Sequence, residues 1–206
     1  MLLAVVCAVF TLIIQRPVLF STGLYGAMPL IVYTNILDHL RSNNASVINA
    51  PTVLTRRGFE EICDEYEVDK LPLITHSSFN GGILKSHRLE KALLIDPAVL
   101  PAFGVSGLVP TTIAPRAPTH VICSKFYGSF VKPSFQPKIE GANYINLEYG
   151  GHSDMLDGMW PWVASTIGIE SDSDDGVSKY KDFLRVYIQK WLFSSSYELS
   201  IYKAEE

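Results

Sequence analysis

The chain has 206 residues, of which 48% are hydrophobic and only 18% charged, with a formal net charge of -4. That composition excludes a disordered chain and gives one domain enough length to bury about 70% of its unfolded surface. The negative balance and the absence of any basic run argue against nucleic acid as a partner.

Residues Met1 to Ile14 are apolar apart from Thr11. The run is too short for a membrane span of about 20 residues. It suits either a signal-peptide core or anchor or, from its β-branched residues, a buried first strand. The first reading makes the chain secreted or membrane-associated through residues 1–14; the second leaves it cytoplasmic. In both, residues 16–206 are expected to form a single domain. Asn44-Ala-Ser46 is a glycosylation sequon, relevant only to a secreted chain. Cys7, Cys63 and Cys123 lack metal-type spacing and are read as buried thiols.

Arg16–Phe20 reads as a strand and runs into a glycine-containing loop, Ser21–Pro29. Val32–Arg41 places Ile36, Leu37 and Leu40 at helical spacing, and Ser46–Asn49 is a short strand ending at Ala50-Pro51. A charged helix is predicted over Arg56–Tyr66, with Phe59, Ile62 and Tyr66 as its apolar stripe. The strand Leu71–Thr75 leads to the corner His76-Ser77-Ser78, and Gly82–Lys91 is predicted helical. Ala92–Asp96 is a buried strand cut off by Pro97. Val99–Pro118, with its prolines and glycines, reads as a long loop or flap. Thr119–Cys123 is the next strand, followed by an irregular stretch to Gly141. Asn143–Leu147 is the last strand and opens into Glu148–Asp154. An acidic loop, Glu170–Asp175, precedes a closing helix from Ser178 to Phe193, expected to bury Phe183, Val186, Tyr187 and Trp191.

Strands alternating with helices imply a mostly parallel sheet covered on both faces. In such sheets, ligands sit at the carboxyl ends of the strands. Thr22-Gly23, Ser77, Asp96 and His152, each just past a strand, are therefore expected on one rim. A serine hydroxyl needs a base to take its proton and an acid to orient that base. Ser77, Asp96 and His152 supply these in the chain order of α/β-hydrolases, with Ser77 on a strand-to-helix corner. Backbone N–H groups of Ser78 and Leu24 would form the oxyanion hole. Tyr25, Phe79, Met155 and Trp160 are expected to line an apolar pocket. Ser77 and Ser78 would each also serve as a helix N-cap, and Glu140 is the alternative acid. Asp154 and Asp157 lack a third metal ligand, and Asp154 reads instead as a helix cap. No cofactor or metal is expected.

The segment Gly151-His-Ser-Asp-Met-Leu-Asp-Gly158 resembles the catalytic-histidine segment of chlorophyllases and their relatives. Pro17–Phe20 with Thr22-Gly23, Tyr33–Leu40, Ala50-Pro51, His76-Ser77 with Gly81-Gly82, and Ala92–Pro97 resemble further pieces of that family in the same order. The resemblance covers Arg16 to Gly158. It implies an α/β-hydrolase fold, compact enough to lack peripheral strands, and cleavage of a chlorophyll-like, lipid or small carboxylic ester without a cofactor. It also implies Asp96 rather than Glu140 as the acid. The chain departs from the family where Thr75 replaces the glycine before His-Ser, where the Gly-Gly step falls two residues late, where Ser21-Thr22 precedes the oxyanion glycine, and where Phe79 replaces a small residue. The alternative function is thus a non-catalytic binding or structural protein on a degenerate hydrolase scaffold. It turns on whether Phe79 displaces the serine.

Overall fold

The computed structural model describes residues 15–23, 28–50, 54–99, 112–130, 136–166 and 169–194. The expectations for residues 1–14, Leu24, Tyr25, Pro51 and most of Val99–Pro118 lie outside them. In chain order the elements are β1 (Arg16–Ser21), α1 (Thr34–Ser42), β2 (Ala45–Asn49), α2 (Arg56–Glu65), β3 (Leu71–His76), β4 (Leu89–Ile95), β5 (Thr112–Ile113), β6 (Thr119–Cys123), α3 (Tyr127–Phe130), β7 (Lys138–Ile139), β8 (Asn143–Asn146), α4 (Trp160–Thr166) and α5 (Asp174–Phe193).

Six strands form one sheet in the order β2-β1-β3-β4-β6-β8, and every neighbouring pair is parallel. The central strands β1 and β3 are largely apolar on both faces because both are covered, while the edge strand β8 is mostly exposed. Side chains alternate across the sheet. Val18, Phe20, Ile74, Leu93, Ile95 and Ile122 pack towards α1 and α5. Leu19, Leu73, Ala92, Leu94, Val121 and Cys123 pack towards α2 on the other side. Pro72 lies inside a central strand, a position that lacks a ladder donor. It is tolerated because the β3–β4 register shifts between Leu71 and Leu73. Parallel pairing sends all the strand ends to one rim, and the arrangement is an α/β-hydrolase fold.

Three predicted features differ. Gly82–Lys91 is not a helix: Ile83–Lys85 forms one 3-10 turn and β4 starts at Leu89. Only residues 77–88 join β3 to β4, and the side chains of Ser86 and Arg88 among them are tied to α2. Ser86 Oγ donates to Glu60, and Arg88 donates to Asp64 and the Glu60 carbonyl. On α2 the buried positions are Phe59 and Cys63, while Tyr66, just past its end, is exposed. On α5 the buried stripe is Tyr180, Leu184, Tyr187, Ile188 and Trp191. Val186 faces solvent and Phe183 is half-buried. The helix also starts earlier than predicted, at Asp174, capped by the Ser173 hydroxyl accepting from the Gly176 N–H. A two-stranded sheet of β5 and β7 covers the α2-side core with Ile113 and Ile139. Cys63 and Cys123 are free and buried. Among the described residues, no helix is long and apolar enough to cross a membrane.

Lys91 of β4 is only 6% exposed. Its Nζ donates to the carbonyls of Trp191, Leu192 and Ser194, in the terminal region where α5 leaves carbonyls without helical partners. Burial, with the Arg16 charge second, lowers its pKa from 10.5 to about 8. Between those values the unfolded chain binds the additional proton, so stability rises with pH through that window. Buried Cys63 and Cys123, whose thiol pKa values burial raises, act in the opposite direction from about pH 8 upward, and buried tyrosines such as Tyr180 and Tyr187 do so above about pH 10. The difference between the native chain and Lys91→Met, which keeps both thiols, isolates the lysine: from about pH 8 to 9.5 the native urea-unfolding midpoint is expected to rise relative to that of Lys91→Met. A difference that falls or stays flat there overturns this assignment.

Candidate active site

The site is built where four strands end. β3 stops at His76, and Ser77 takes φ +56°, a left-handed conformation that serine seldom adopts. Two ties hold it. The Ser77 N–H donates to the Ile95 carbonyl at the end of β4 (2.9 Å), and Thr75 Oγ1 donates to the Ser78 carbonyl (2.9 Å). Threonine in place of the expected glycine therefore stabilises the corner through its hydroxyl. Ser77 keeps 7% exposure while Ser78 has none, its Oγ turned towards the Thr22 carbonyl.

Phe79 does not occupy this corner. It is buried in the α2-side core with Ile83 and Ile113. A Cβ on Gly81 would lie 3.0 Å from the Phe79 ring, so the small residue that a tight turn requires is at Gly81 rather than at 79.

Asp96 follows β4 and is fully buried, with φ +45°. Its Oδ1 accepts from the Ser124 N–H (2.7 Å). Its Oδ2 accepts from Ser124 Oγ (2.7 Å) and lies 3.3 Å from His152 Nδ1. A buried carboxylate is costly unless its lone pairs are matched, and here three donors converge on it. Ser124 is the first residue past β6. Sequence reasoning missed it; a polar residue directly after an apolar strand was the available signal. Glu140 is exposed just past β7, in the second sheet.

His152 is buried between the rim and α5. Its loop follows β8 and is locked by two carboxylates. Asp154 is fully buried and accepts from the N–H groups of Gly151 (2.5 Å) and Asp172 (3.0 Å) and from Ser171 Oγ. Asp172 accepts from the Gly150 N–H (2.9 Å), and that bond is the main cause of its lowered pKa. Asp154 is thus a clasp between two loops rather than the helix cap expected. Asp157 does cap a helix: it accepts from the Asn35 N–H at the start of α1 (2.7 Å) and pairs with Lys181. Gly150 has φ +82°, and a Cβ there would run into the Tyr180 ring. Both glycines beside the histidine are therefore required by space, since a Cβ on Gly151 would meet the Glu170 carbonyl.

His76 is unsuited to act as the base. It is buried, its Nδ1 faces Tyr33 Oη and its Nε2 faces the His152 carbonyl. Burial, and then the neighbouring His152, push its pKa well below the usual histidine range.

Met155, expected in the pocket wall, is fully buried in the α1/α5-side core, and Trp160 packs partly against that core at the start of α4. With Phe79 in the opposite core, three of the four predicted pocket residues serve packing; Tyr25 lies outside the described residues. A groove of about 500 Å³ runs along Tyr149, Lys179, Phe183 and Val186 on α5 and includes none of Ser77, Asp96 or His152. Among the described residues no three His, Cys, Asp or Glu side chains gather to hold a metal.

No protein-family model matches the chain, and no curated protein does. Solved structures do. The esterase domain of a Rhodothermus marinus protein is 14% identical with a TM-score of 0.49, covering 88% of this chain and 89% of its own. MGS-MChE2, an α/β-hydrolase enzyme from a lagoon-sediment metagenome of Mar Chica, Morocco, is 12% identical with a TM-score of 0.49, covering 87% and 93%. A proline iminopeptidase-related protein from Thermus thermophilus is 10% identical with a TM-score of 0.41, covering 84% and 90%. At these levels no residue role passes from those proteins to this chain.

Proposed function

We propose that the protein is a serine hydrolase that cleaves carboxylic esters, with Ser77 as nucleophile, His152 as general base and Asp96 as the acid that orients it. The observation that carries the reading is the buried His152–Asp96 contact at 3.3 Å, on the same rim as a serine held at φ +56°. Strained backbone of this kind persists only where its surroundings over-determine it. With Nδ1–H donated to Asp96, His152 keeps its Nε2 lone pair for the Ser77 proton. Ser77 Oγ then attacks the ester carbonyl, and the oxyanion is received by the backbone N–H groups of Ser78 and Leu24. His152 returns the proton to the leaving alcohol. Water, deprotonated by His152, releases the acid from the acyl-enzyme. A chlorophyll-like, lipid or small ester is the substrate class implied by the histidine segment. Burial of Phe79 away from Ser77 favours this over the non-catalytic reading.

A fluorophosphonate probe tests it. The native chain is expected to label, and Ser77→Ala and His152→Ala are expected not to. Failure of the native chain to label overturns the reading; labelling that survives Ser77→Ala but not Ser78→Ala moves the nucleophile by one residue.

A further inference from the structure

Beside the proposed triad, groups from two loops, one 3-10 turn and the end of β3 form a single hydrogen-bonded line. The Gly23 N–H, past β1, donates to Tyr33 Oη at 2.8 Å. Tyr33 Oη lies 2.8 Å from His76 Nδ1, and His76 Nε2 lies 3.0 Å from the His152 carbonyl. The two ends determine the direction of every bond between them. An amide N–H only donates and a carbonyl only accepts. Tyr33 Oη therefore accepts from Gly23 and donates its own proton to His76 Nδ1. His76 in turn carries its proton on Nε2 and donates it to His152. The other neutral tautomer would set lone pair against lone pair at the His152 carbonyl and leave the Tyr33 hydroxyl proton without its His76 acceptor.

The line is buried: Tyr33 is 0% and His76 2% exposed, so a lost bond is not simply replaced by water. It is also closely fitted. A Cβ on Gly23 would sit 3.0 Å from Tyr33 Oη and 3.3 Å from His76 Nδ1, so the loop rests directly on the relay. The His76 ring stacks on the His152 ring with centroids 4.8 Å apart. Burial keeps Tyr33 protonated and His76 uncharged, so a His152 imidazolium formed during turnover meets no second cation there.

Resting on the serine-hydrolase reading, we infer that Tyr33 and His76 are positioning residues. They join the oxyanion loop at Gly23 and the base loop at His152 to the residue immediately before the nucleophile. The relay touches no reacting atom. It fixes the relative placement of three loops that contribute to the transition state, so its loss affects kcat rather than KM.

The test compares p-nitrophenyl acetate hydrolysis and fluorophosphonate labelling in the native chain, Tyr33→Phe, His76→Phe and His76→Gln, with folding checked by circular dichroism. Tyr33→Phe and His76→Phe are expected to lower kcat about 10- to 100-fold with KM within about twofold. His76→Gln, whose amide N–H replaces the donor to His152, is expected to recover most of the loss. A folded Tyr33→Phe with native kcat overturns the inference, as does a His76→Gln no better than His76→Phe. Absence of hydrolysis and labelling in the native chain overturns the hydrolase reading and the positioning role together. Nitrogen-15 chemical shifts read the tautomer independently of activity: a proton on His76 Nε2 is expected, and one on Nδ1 overturns the relay.

Discussion

Replacing Asp96 with asparagine is expected to lower ester turnover about 10⁴-fold with the fold retained, the size of loss produced when a triad histidine is held in the wrong tautomer. Asp96 offers acceptors only, and all three partners donate to it: the Ser124 N–H, Ser124 Oγ–H and His152 Nδ1–H. Asparagine matches the volume but has one acceptor oxygen and one donor nitrogen. The Ser124 N–H cannot reverse, so the amide oxygen stays at the Oδ1 position and the NH₂ group takes the Oδ2 position. Ser124 Oγ can rotate and accept. His152 then has to accept at Nδ1, which places its proton on Nε2, facing the serine it should deprotonate. Steady-state hydrolysis of p-nitrophenyl acetate checks this against a thermal melt showing the variant folded. Unchanged turnover would remove Asp96 from the triad and return attention to Glu140.

Asp154→Ala is expected to destabilise the protein by about 3–5 kcal/mol, because it leaves buried donors without acceptors at about 1–3 kcal/mol each. The donors are the Gly151 and Asp172 N–H groups and Ser171 Oγ. For a chain of this size that corresponds to a fall in Tm of about 6–20 °C. The same change frees the His152 loop from the segment leading into α5, so labelling of Ser77 should slow in parallel. The comparison variant is Asp175→Ala, an exposed carboxylate paired with Lys179 one turn away, expected to change stability by less than about 0.5 kcal/mol. If Asp154→Ala melts within a degree or two of the native chain, the clasp does not hold the loop.

The central strands were legible because both faces of a parallel sheet are buried, so β1, β3 and β6 read as short apolar runs bounded by polar corners. β4 was legible only from Ala92. Glu90 and Lys91 disguise its first half, since Lys91 directs its charge to the end of α5 rather than to solvent. The helix expected after Ser77 failed because residues 86–88 are claimed by α2, a tertiary demand that local periodicity does not record. β5 and β7, two residues each, are too short to show a period. In the site, Ser77, Asp96 and His152 were visible as polar residues at strand ends, and the structure brings Asp96 and His152 into contact. Ser124, Tyr33 and the Asp154 clasp were not visible in those roles, because each depends on at least one partner 17 to 43 residues away.

The single 3-10 turn at Ile83–Lys85 has an electrostatic meaning. Where a long helix starts directly after a nucleophile, its aligned peptide dipoles place roughly half a positive charge behind the reacting group. Ser77 has no such field behind it: Ser78–Asn80 are non-helical and the turn that follows is three residues long. Among the described residues, charge developing on a bound ester carbonyl would be met by individual N–H groups at short range. Their contribution falls steeply with misplacement, so the accuracy with which the rim holds its loops matters more in this chain than in one with a helix behind its serine.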